Sequence, residues 1–528
     1  MSTADAVIVG AALRTLDPAD PGGTVTGDVA VKDGLIVAVG DTADWRGPST
    51  TVHDLEGATL TPGLTDGHMH PVLGANSFTG LDLSGCRTVA DLRAALAGAV
   101  RDTARGEWIS GFGLDHNTFQ GRPITKEVFE DILDGIPALL VLYDGHSALA
   151  SAAALDAAGI EGPRSFASRS LIVCDSAGRP TGHLLEDGAI SLVRQVMPVE
   201  DLGLRRARVL ELLHTMAATG LTGGHVMDAE GDALELIAGI EELPLRLRIA
   251  PWAMPGEIDA QIDHLLALRG TRGRRWSVDA VKFFVDGTVE GGTAWLEQAD
   301  CHGQSTDSFW HDPADYTRAV RRLDAAGMQS ATHAIGDAGV RHALDAVAGS
   351  AGTVRHRIEH IETLPHEQIR RFAELDVAAS MQPTHTAYTR ADHSDEWSTR
   401  VGPDRADRAW CCRDLRDSGA TLVLGSDWPI AHFDPRQVLA TAQLRRLPGS
   451  DAAPVRPDQA LTALMALEGM TSHAARATGQ ERTAGRIAPG YRADLTAFTL
   501  DPLTAAPDEL AEAPIRLTMV DGTVTHRA

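Results

Sequence analysis

Two histidines placed close together in the sequence are the first candidates for chemistry. His68 and His70 end the apolar stretch TPGLTDGHMHP, residues 61–71. Two residues apart on an extended backbone, their side chains point to the same face. Two imidazoles on one face can bind one metal ion. An H-x-H pair alone is a weak signal, so the metal interpretation depends on partners elsewhere in the chain.

Further candidate ligands follow other predicted strands. They are Lys282 in VDAVKFFVDG, His333 in ATHAIGD, His360 in RIEHIE and Asp427 in VLGSDWP. Taken singly, such residues are more often structural: a hydrogen-bonded core histidine, a salt-bridged lysine or a helix-capping aspartate. In a barrel of parallel strands, however, functional groups stand at the C-terminal ends of the strands. Because all of these residues occupy such ends, we predict that they converge at one mouth.

The elements that would position these residues are alternating strands and helices. Apolar runs alternate with helical segments rich in Ala, Leu and Arg, which predicts parallel strands. We predict strands over residues 59–66, 221–227, 245–252, 279–285, 328–333, 356–360, 377–382 and 421–426. Eight strands close a (β/α)8 barrel, and we place this α/β barrel at residues 59–485.

Two further units complete the predicted organisation. Residues 1–58 and 486–528 hold too few strands at each end for a stable sheet, so we expect one small β-sandwich domain built from both termini. The connection over about residues 72–218 is far longer than one crossover needs. Because it has helices and a strand of its own at residues 138–143, we predict an inserted subdomain that caps the barrel mouth.

Composition restricts the partners. The 528 residues include 47 Lys and Arg against 72 Asp and Glu, a formal net charge of −25, which disfavours nucleic acid and anionic membranes. No uninterrupted apolar stretch of about 18 residues predicts a membrane span. Five scattered cysteines without a C-x-x-C pair indicate a reducing compartment. The N-terminal stretch predicts a strand rather than a signal peptide, and we therefore expect a cytoplasmic protein.

The motifs together resemble those of a known family over nearly the whole chain. The matching stretches are TPGLTDGHMHP, DGHSALASAAAL (144–155), GRPTGHLLED (178–187), VKFFVDGTVEGGTA (281–294), THAIGDAGV (332–340), RIEHIE (357–362), MQPTH (381–385) and GSDWPI (425–430). The chain resembles the amidohydrolase superfamily, and within it amidohydrolase family 3, the branch of YtcJ-like proteins and N-substituted formamide deformylases.

This resemblance implies a distorted (β/α)8 barrel with two divalent metal ions, for which Zn2+ is the expected identity. The implied ligands are His68, His70 and Asp427 for the more buried ion, His333 and His360 for the second, and Lys282, carbamylated by CO2, as a bridge. The carbamate matters because a neutral or cationic lysine is a poor ligand. The implied reaction is hydrolysis of an amide, N-formyl or cyclic amide C–N bond by a metal-bound hydroxide, with Asp427 as general acid and base.

Substrate contacts are expected from the loops and the inserted subdomain. The resemblance suggests that His146 and Glu186 face the substrate, although both residues fit a structural role as well. Further candidates are Glu290, His385 and Trp295. The loop DGTVEGGTA departs from the Ser-Leu-Gly-Ser-Arg type sequence of many relatives. The substrates of those relatives therefore cannot be assigned directly to this chain. We expect a small-molecule substrate and allow for a homodimer.

Other functions stay open on the same barrel. A mononuclear deaminase typically has a glutamate near the position of His333 and lacks a lysine at the position of Lys282, whereas this chain shows the opposite pattern. An ester or lactone hydrolase is a further alternative. A metal-binding scaffold without turnover is disfavoured because Asp427, which proton transfer needs, is retained. Metal counting and a turnover screen separate these possibilities.

Overall fold

The structure, a computed structural model, describes residues 3–77, 80–104 and 106–528. Within these residues the named strands form five sheets. Two sheets come from the two ends of the chain, and two consist of parallel strands from its middle. The fifth lies, in sequence, between the first two parallel strands.

The parallel strands carry the candidate metal ligands. One sheet has the order Trp276–Val278, Arg246–Pro251, Leu221–Ala229, Leu64–Met69, and the other has Ala280–Phe284, Gln329–Ala334, Arg357–His360, Ala378–Met381, Leu422–Leu424. The pairings within both sheets are parallel. Single parallel bridges, Trp252 to Lys282 and Met69 to Trp428, join the edges of the two sheets. The strand ends of the two sheets therefore lie around one common region.

Most residues of these strands are buried. Leu221–Ala229 and Gln329–Ala334, for example, are buried at every residue. Parallel strands that are covered on both faces consist of near-continuous apolar or small residues instead of an alternating pattern. Their outer side chains join the largest apolar cluster, together with Leu213, Leu323 and Phe372 of the surrounding helices.

Local sequence signals explain the covering helices. Pro313–Ala325 begins after Asp312, whose side chain accepts a hydrogen bond from the backbone of Ala314, and its buried residues recur at helical spacing. The α-helices are Pro71–Ser77, Val89–Asp102, Glu130–Leu133, Ala152–Ala157, Asp187–Arg194, Leu202–Ala218, Ala233–Ala238, Ile258–Leu268, Pro313–Ala325, Asp337–Ala348, His366–Glu374, Glu396–Val401, Pro403–Ala406, Cys412–Asp417, Pro435–Leu444, Ala463–Gly469, Ser472–Ala477 and Pro507–Glu512. In the described part of the chain, none of the helices combines the length and apolar character that crossing a bilayer requires.

The N-terminal strands form one sheet by themselves and a second sheet together with the C-terminal strands. One has the order Leu35–Gly40, Asp28–Lys32, Ala6–Val9, Thr51–Asp54, and the other has Thr523–Arg527, Ile515–Val520, Leu495–Phe498, Thr59–Pro62, Ala12–Leu13, Val25–Thr26. One apolar cluster contains buried side chains from both sheets, among them Ile8, Leu60 and Leu517. Neither end supplies this cluster alone, so the C-terminal strands need the N-terminal ones.

The prediction of a single strand over residues 59–66 is wrong. Thr59–Pro62 pairs antiparallel with Leu495–Phe498 in the sheet of the chain ends, and only Leu64–Met69 joins the parallel strands. Pro62 has no backbone N–H to extend the ladder. Gly63 then passes so close to Thr222 that a Cβ at this position would lie 2.3 Å from its hydroxyl. The chain therefore changes sheets at this point.

The long connection between the first two parallel strands contains more strands than the sequence indicated. Its sheet has the order Leu171–Cys174, Pro180–Leu185, Ser147–Ala150, Ala138–Leu142, Ile109–Leu114, Leu81–Asp82, with apolar clusters of its own. Only the strand at Ala138–Leu142 was predicted. Three of the others, Ile109–Leu114, Ser147–Ala150 and Pro180–Leu185, contain Gly, Pro or Ser, which hide the usual strand pattern, and the remaining two have four residues or fewer. The helix Leu202–Ala218 packs instead within the main cluster.

Candidate metal centre

The predicted metal ligands meet at the carboxyl ends of the parallel strands. Each belongs to or directly follows a different strand, except that His68 and His70 flank the end of the same one. A cavity of about 110 Å3 lies over these ends, and its lining includes His70, Lys282, His333, His360 and Asp427. His68 is fully buried and contacts this group from inside the fold.

Three ligand atoms form the tightest part of this group. Nε2 of His68 and Nε2 of His70 lie 3.3 Å apart. Oδ1 of Asp427 lies 3.3 Å from the first nitrogen and 3.0 Å from the second, yet it makes no hydrogen bond although it is buried. Two imidazole nitrogens and a carboxylate oxygen at this separation match the donor types of a zinc or similar divalent site.

His68 presents a lone pair to this group. Its Nδ1 donates to Oε2 of Glu359 at 2.7 Å, and the same carboxylate accepts hydrogen bonds from the buried guanidinium of Arg357. Because an ionised carboxylate can only accept, Nδ1 carries the proton and Nε2 is free to bind a metal. Burial, with Lys282 adding to it, lowers the pKa of His68 to about 4, so the ring is neutral at physiological pH.

Asp66 holds the segment that carries Asp427. Its Oδ1 accepts from the backbone N–H groups of His68 and Ser426, each at 3.0 Å, and its Oδ2 accepts from the Ser426 hydroxyl at 2.5 Å. These bonds tie the first parallel strand to the segment after the last one. Burial raises the pKa of Asp66 to about 6. The sequence analysis gave this residue no role, although its position within TDGHMH was an available signal.

His333 and His360 form a second imidazole pair, with ring centroids 4.6 Å apart. Nδ1 of His360 lies 3.0 Å from Oε1 of Gln382, and Nε2 of His333 lies 3.2 Å from the backbone oxygen of Gly287. Each ring therefore uses one nitrogen as a donor and keeps the other as a possible ligand. Burial holds the pKa of both rings well below the usual value, so both are neutral.

Lys282 lies between the two imidazole pairs and the cavity. It is 1% exposed, and its Nζ is 3.4 Å from Nε2 of His68 and 5.0 Å from the ring centroid of Phe284. Among the residues that the structure describes, no carboxylate oxygen lies within 4.0 Å of this amine. Burial lowers the pKa of Lys282 to about 8. A buried amine among nitrogen ligands is therefore poorly stabilised as a cation.

Three residues of the site have left-handed backbone conformations. The φ angles are +74° at His360, +59° at Asp427 and +66° at Glu186. Side chains other than glycine rarely adopt this region, and such conformations cluster at functional sites. The surrounding hydrogen bonds must hold these residues in place, as the bond of Gln382 to His360 does.

His146 and Glu186 lie on the opposite wall of the cavity, as a hydrogen-bonded pair. Nδ1 of His146 is 2.8 Å from Oε2 of Glu186, and the His146 ring packs on His333 with 4.8 Å between centroids. Burial would lower the pKa of His146, but the adjacent Glu186 raises it to about 9. The inserted segment thus delivers a charged imidazole–carboxylate pair to the strand ends.

The other predicted substrate residues divide into two groups. Glu290 and His385 line the cavity, and Nε2 of His385 lies 3.6 Å from Oδ2 of Asp427. Trp295 does not line it. Its backbone is held by Asp286, which accepts from its N–H, and its ring packs on His342 at 5.2 Å. The prediction of Trp295 as a substrate contact is therefore not supported by its position.

Sequence reasoning missed much of the cavity wall. The lining also includes Tyr143, Trp252, Phe284, Phe309, Glu362, Tyr388, Trp397 and Trp410. These residues come from separate strands, helices and loops, and no single short motif contains them all. A larger cavity of about 930 Å3 adjoins on the outside and shares Leu73, Tyr143, Arg194 and Tyr388 with the inner one. The inserted segment forms part of both walls.

The residues fit a bound metal. Oδ1 of Asp427 is buried and has no hydrogen-bond partner among the described residues. Ligand atoms of His68, His360 and Asp427 lie within 4.8 Å of one another. Buried polar atoms without partners are costly. A cation that accepts their lone pairs removes that cost, which is the fit expected of a metal centre.

Comparison with known proteins identifies the family. Residues 51–526 match the sequence model of the amidohydrolase family. The chain belongs to this family, as its motifs predicted.

Two relatives illustrate the range of the family. The chain is 29% identical over 523 residues to a putative amidohydrolase, YtcJ, of Bacillus subtilis, covering 96% of each protein. It is 28% identical over 553 residues to an N-substituted formamide deformylase of Arthrobacter pascens, covering 99% of this chain and 98% of that one. Among solved structures, an uncharacterized metal-dependent hydrolase of Pyrococcus horikoshii superposes with a TM-score of 0.73 at 22% identity, covering 95% of this chain and 99% of that one.

Replacing Glu359 tests whether it orients His68. We expect Glu359→Gln to lower metal affinity about 10- to 100-fold, the usual effect of losing a carboxylate behind a metal-bound histidine. Affinity is measured by competition with a chromogenic chelator. Thermal unfolding of the metal-free variant is recorded in parallel, because Arg357 loses its charged partner. An unchanged metal affinity would contradict the orienting role.

Proposed function

We propose that this protein is a metal-dependent hydrolase that cleaves a C–N bond in a small-molecule amide, N-formyl amine or cyclic amide. The active site is the cavity over the strand ends. The strands of the two parallel sheets constitute a distorted (β/α)8 barrel, in which Trp276–Val278 and Ala280–Phe284, separated by Asp279 alone, count as one strand. The observation that carries the proposal is the approach of His68, His70 and Asp427 to within 3.3 Å of one another, without hydrogen bonds at the carboxylate oxygen. This arrangement has no evident structural purpose.

The proposed metal ligands form two groups. His68, His70 and Asp427 hold one ion, and His333 and His360 hold the second, with Zn2+ as the expected metal because imidazole and carboxylate are its usual donors. When bound, the ions polarise a substrate carbonyl and make water nucleophilic near neutral pH. Asp286 supports the second group. Its Oδ1 lies 3.6 Å from Nε2 of His333, and its carboxylate accepts hydrogen bonds from the backbone N–H groups of Ile335 and Gly336, which follow His333.

Lys282 is proposed as the bridge between the two groups. Its Nζ attacks CO2, which forms an N–C bond and releases a proton to solvent, and a carbamate with two anionic oxygens results. The position of the amine supports this step, because Lys282 adjoins His68 and has no carboxylate partner among the described residues. The carbamate would replace the buried ammonium of Lys282, which is costly to desolvate, by an anionic group that the two metal ions attract.

Asp427 is placed to move the proton. Burial opposes its ionisation, but the imidazoles of His68 and His70 hold the pKa of the carboxyl well below its usual range, so it is ionised and able to accept. It lines the cavity beside His385. The proposed route takes a proton from the attacking water to Asp427 and then to the nitrogen of the leaving amine.

A single-metal enzyme is the second candidate. It is favoured by one observation, that a ligand group of His68, His360 and Asp427 already satisfies the spacing for one ion. A deaminase on the same barrel uses such a site. The number of ions per chain decides between the candidates.

Removing one histidine tests the metal centre. We expect His70→Ala to lose at least one ion per chain and nearly all hydrolysis of N-formyl amines, because His70 supplies one of three close ligand atoms. Metal content is measured by mass spectrometry after dialysis. The matched control is His214→Ala, because His214 is exposed on a helix. Full metal content and turnover in His70→Ala would refute the assignment.

Replacing Asp427 tests the proton route. Asp427→Asn keeps the shape but accepts no proton, and we expect kcat to fall by at least the ~100-fold that is typical of lost acid–base catalysis. Steady-state kinetics with metal-saturated enzyme measure this effect. Metal content is determined on the same sample, because Asn is also a weaker ligand. A variant with full metal content and near wild-type kcat would show that another group carries the proton.

Labelling tests the carbamate. Protein reconstituted with metal and isotopically labelled bicarbonate is expected to show a carbamate carbon resonance, which Lys282→Ala lacks. We expect the substitution to lower the metal content, and we expect Lys282→Glu to restore part of it through its carboxylate. A fully active enzyme with two ions and no carbamate signal would contradict the bridging role and favour other ligands.

A further inference from the structure

The cationic groups on the cavity wall already have acidic partners or lie at the metal centre. His146 is paired with Glu186 at 2.8 Å, and Arg194 lies 3.4 Å from Asp187. Lys282 belongs to the proposed metal bridge. Two divalent ions, when bound, would be neutralised in part by Asp427 and the carbamate of Lys282. The carboxylates that remain on the cavity wall contribute the rest of its negative charge.

Two carboxylates of the cavity wall remain without a cation. Glu290 and Glu362 both line the cavity, and Glu362 is 9% exposed. Within the described chain, no nitrogen of Lys, Arg or His lies within 4.0 Å of a carboxylate oxygen of either residue. Burial raises the pKa of Glu290, and the nearby His116 opposes this rise. A cation in direct contact with either carboxylate must come from outside the chain.

Neutral donors hold each carboxylate in a fixed position. Nε1 of Trp397 donates to Oε2 of Glu362 at 2.6 Å, and the hydroxyl of Tyr143 donates to Oε1 of Glu290 at 2.5 Å. Neither donor compensates a negative charge. No side chain of the described residues donates a hydrogen bond to the second oxygen of either carboxylate, and both residues line the cavity. The second oxygen is therefore available to a ligand in the cavity.

Aromatic rings surround the two carboxylates. Trp397 packs on Trp410 with 4.5 Å between ring centroids, and Tyr143 stacks on Tyr388 at 4.0 Å and 14°. All of these rings line the cavity. Carboxylates together with electron-rich rings attract organic cations, both by charge and through the ring faces. A carboxylate-bearing or wholly apolar substrate would leave these groups uncompensated.

We propose that Glu290 and Glu362 bind a cationic nitrogen of the substrate, an ammonium or guanidinium group, and that the preferred substrates are amides that carry this second, charged nitrogen. The inference rests on the proposed hydrolase function, whose reacting carbonyl lies at the metal ligands. It adds that the far end of the substrate is recognised by charge and by aromatic contact.

Matched substrates test the preference. Mono-N-formyl diaminoalkanes are compared with N-formyl amino alcohols of the same chain length, and with N-formyl amino acids as the anionic series. We expect kcat/KM of the metal-loaded enzyme to be at least tenfold higher for the ammonium series than for the hydroxyl series, a difference of about 1.4 kcal/mol. Equal or higher values for the hydroxyl or carboxylate series would overturn the proposal.

Variants assign the preference to the two residues. Glu290→Gln and Glu362→Gln are each expected to lower the ammonium-to-hydroxyl ratio of kcat/KM at least threefold, and the double variant is expected to abolish it. The loss is expected mainly in KM, because neither residue touches the reacting atoms. The control with the same charge change is Glu241→Gln, because Glu241 is exposed; the ratio stays unchanged there. A preference that persists in the double variant would refute the assignment.

Direct binding separates this inference from the hydrolase function. Calorimetric titration of the metal-loaded protein with alkyl diamines and alkyl guanidines, against neutral alkanediols of the same length, needs no turnover. Tighter binding of the cationic ligands to wild type than to the double variant supports the cation subsite even if no substrate is hydrolysed. Turnover without any difference in binding retains the hydrolase and rejects the subsite.

Discussion

The hydrogen bond from Nδ1 of His68 to Glu359 is the interaction on which the site depends. It fixes the proton on one side of the ring, so that the lone pair of Nε2 points at His70 and Asp427. Arg357 holds the carboxylate from the other side, and all three residues are fully buried. A buried charged pair behind the ligand is tolerable only because its hydrogen bonds are satisfied.

Asp66 supplies the second constraint, because it joins the first parallel strand to the segment that follows the last one. Its hydrogen bonds to the backbone of His68 and Ser426 set the distance between the first ligands in the sequence and the last. Gly425 permits this closeness: a Cβ there would lie 2.5 Å from the backbone nitrogen of His68. The left-handed conformation of Asp427 then follows within two residues, held by the same contacts.

The cavity has two chemically different halves. Lys282 and the imidazoles line it at the strand ends together with Asp427, while Glu290, Glu362 and most of the aromatic rings line it from the surrounding segments, and the insertion adds the pair of His146 and Glu186. Burial keeps His333 and His360 neutral, which suits metal ligands. Tyr143, which comes from the insertion, packs on Tyr388 from the loop after Ala378–Met381. The insertion therefore forms part of the cavity wall.

The sequence alone determined the family and the residues at the strand ends, because the spacing of His68 and His70 and the position of Lys282 in an apolar run depend on local geometry. Only the tertiary structure decided the remainder. Trp295 lies in the segment after the strand Ala280–Phe284, which carries Lys282. Its backbone, however, is hydrogen-bonded to Asp286 and to residues 338–339, and its ring does not line the cavity. Glu362 and Glu290 lie far apart in sequence and share the cavity because separate loops converge. Which loops meet, and where the chain changes sheets at Gly63, follows from long-range packing that no local pattern encodes.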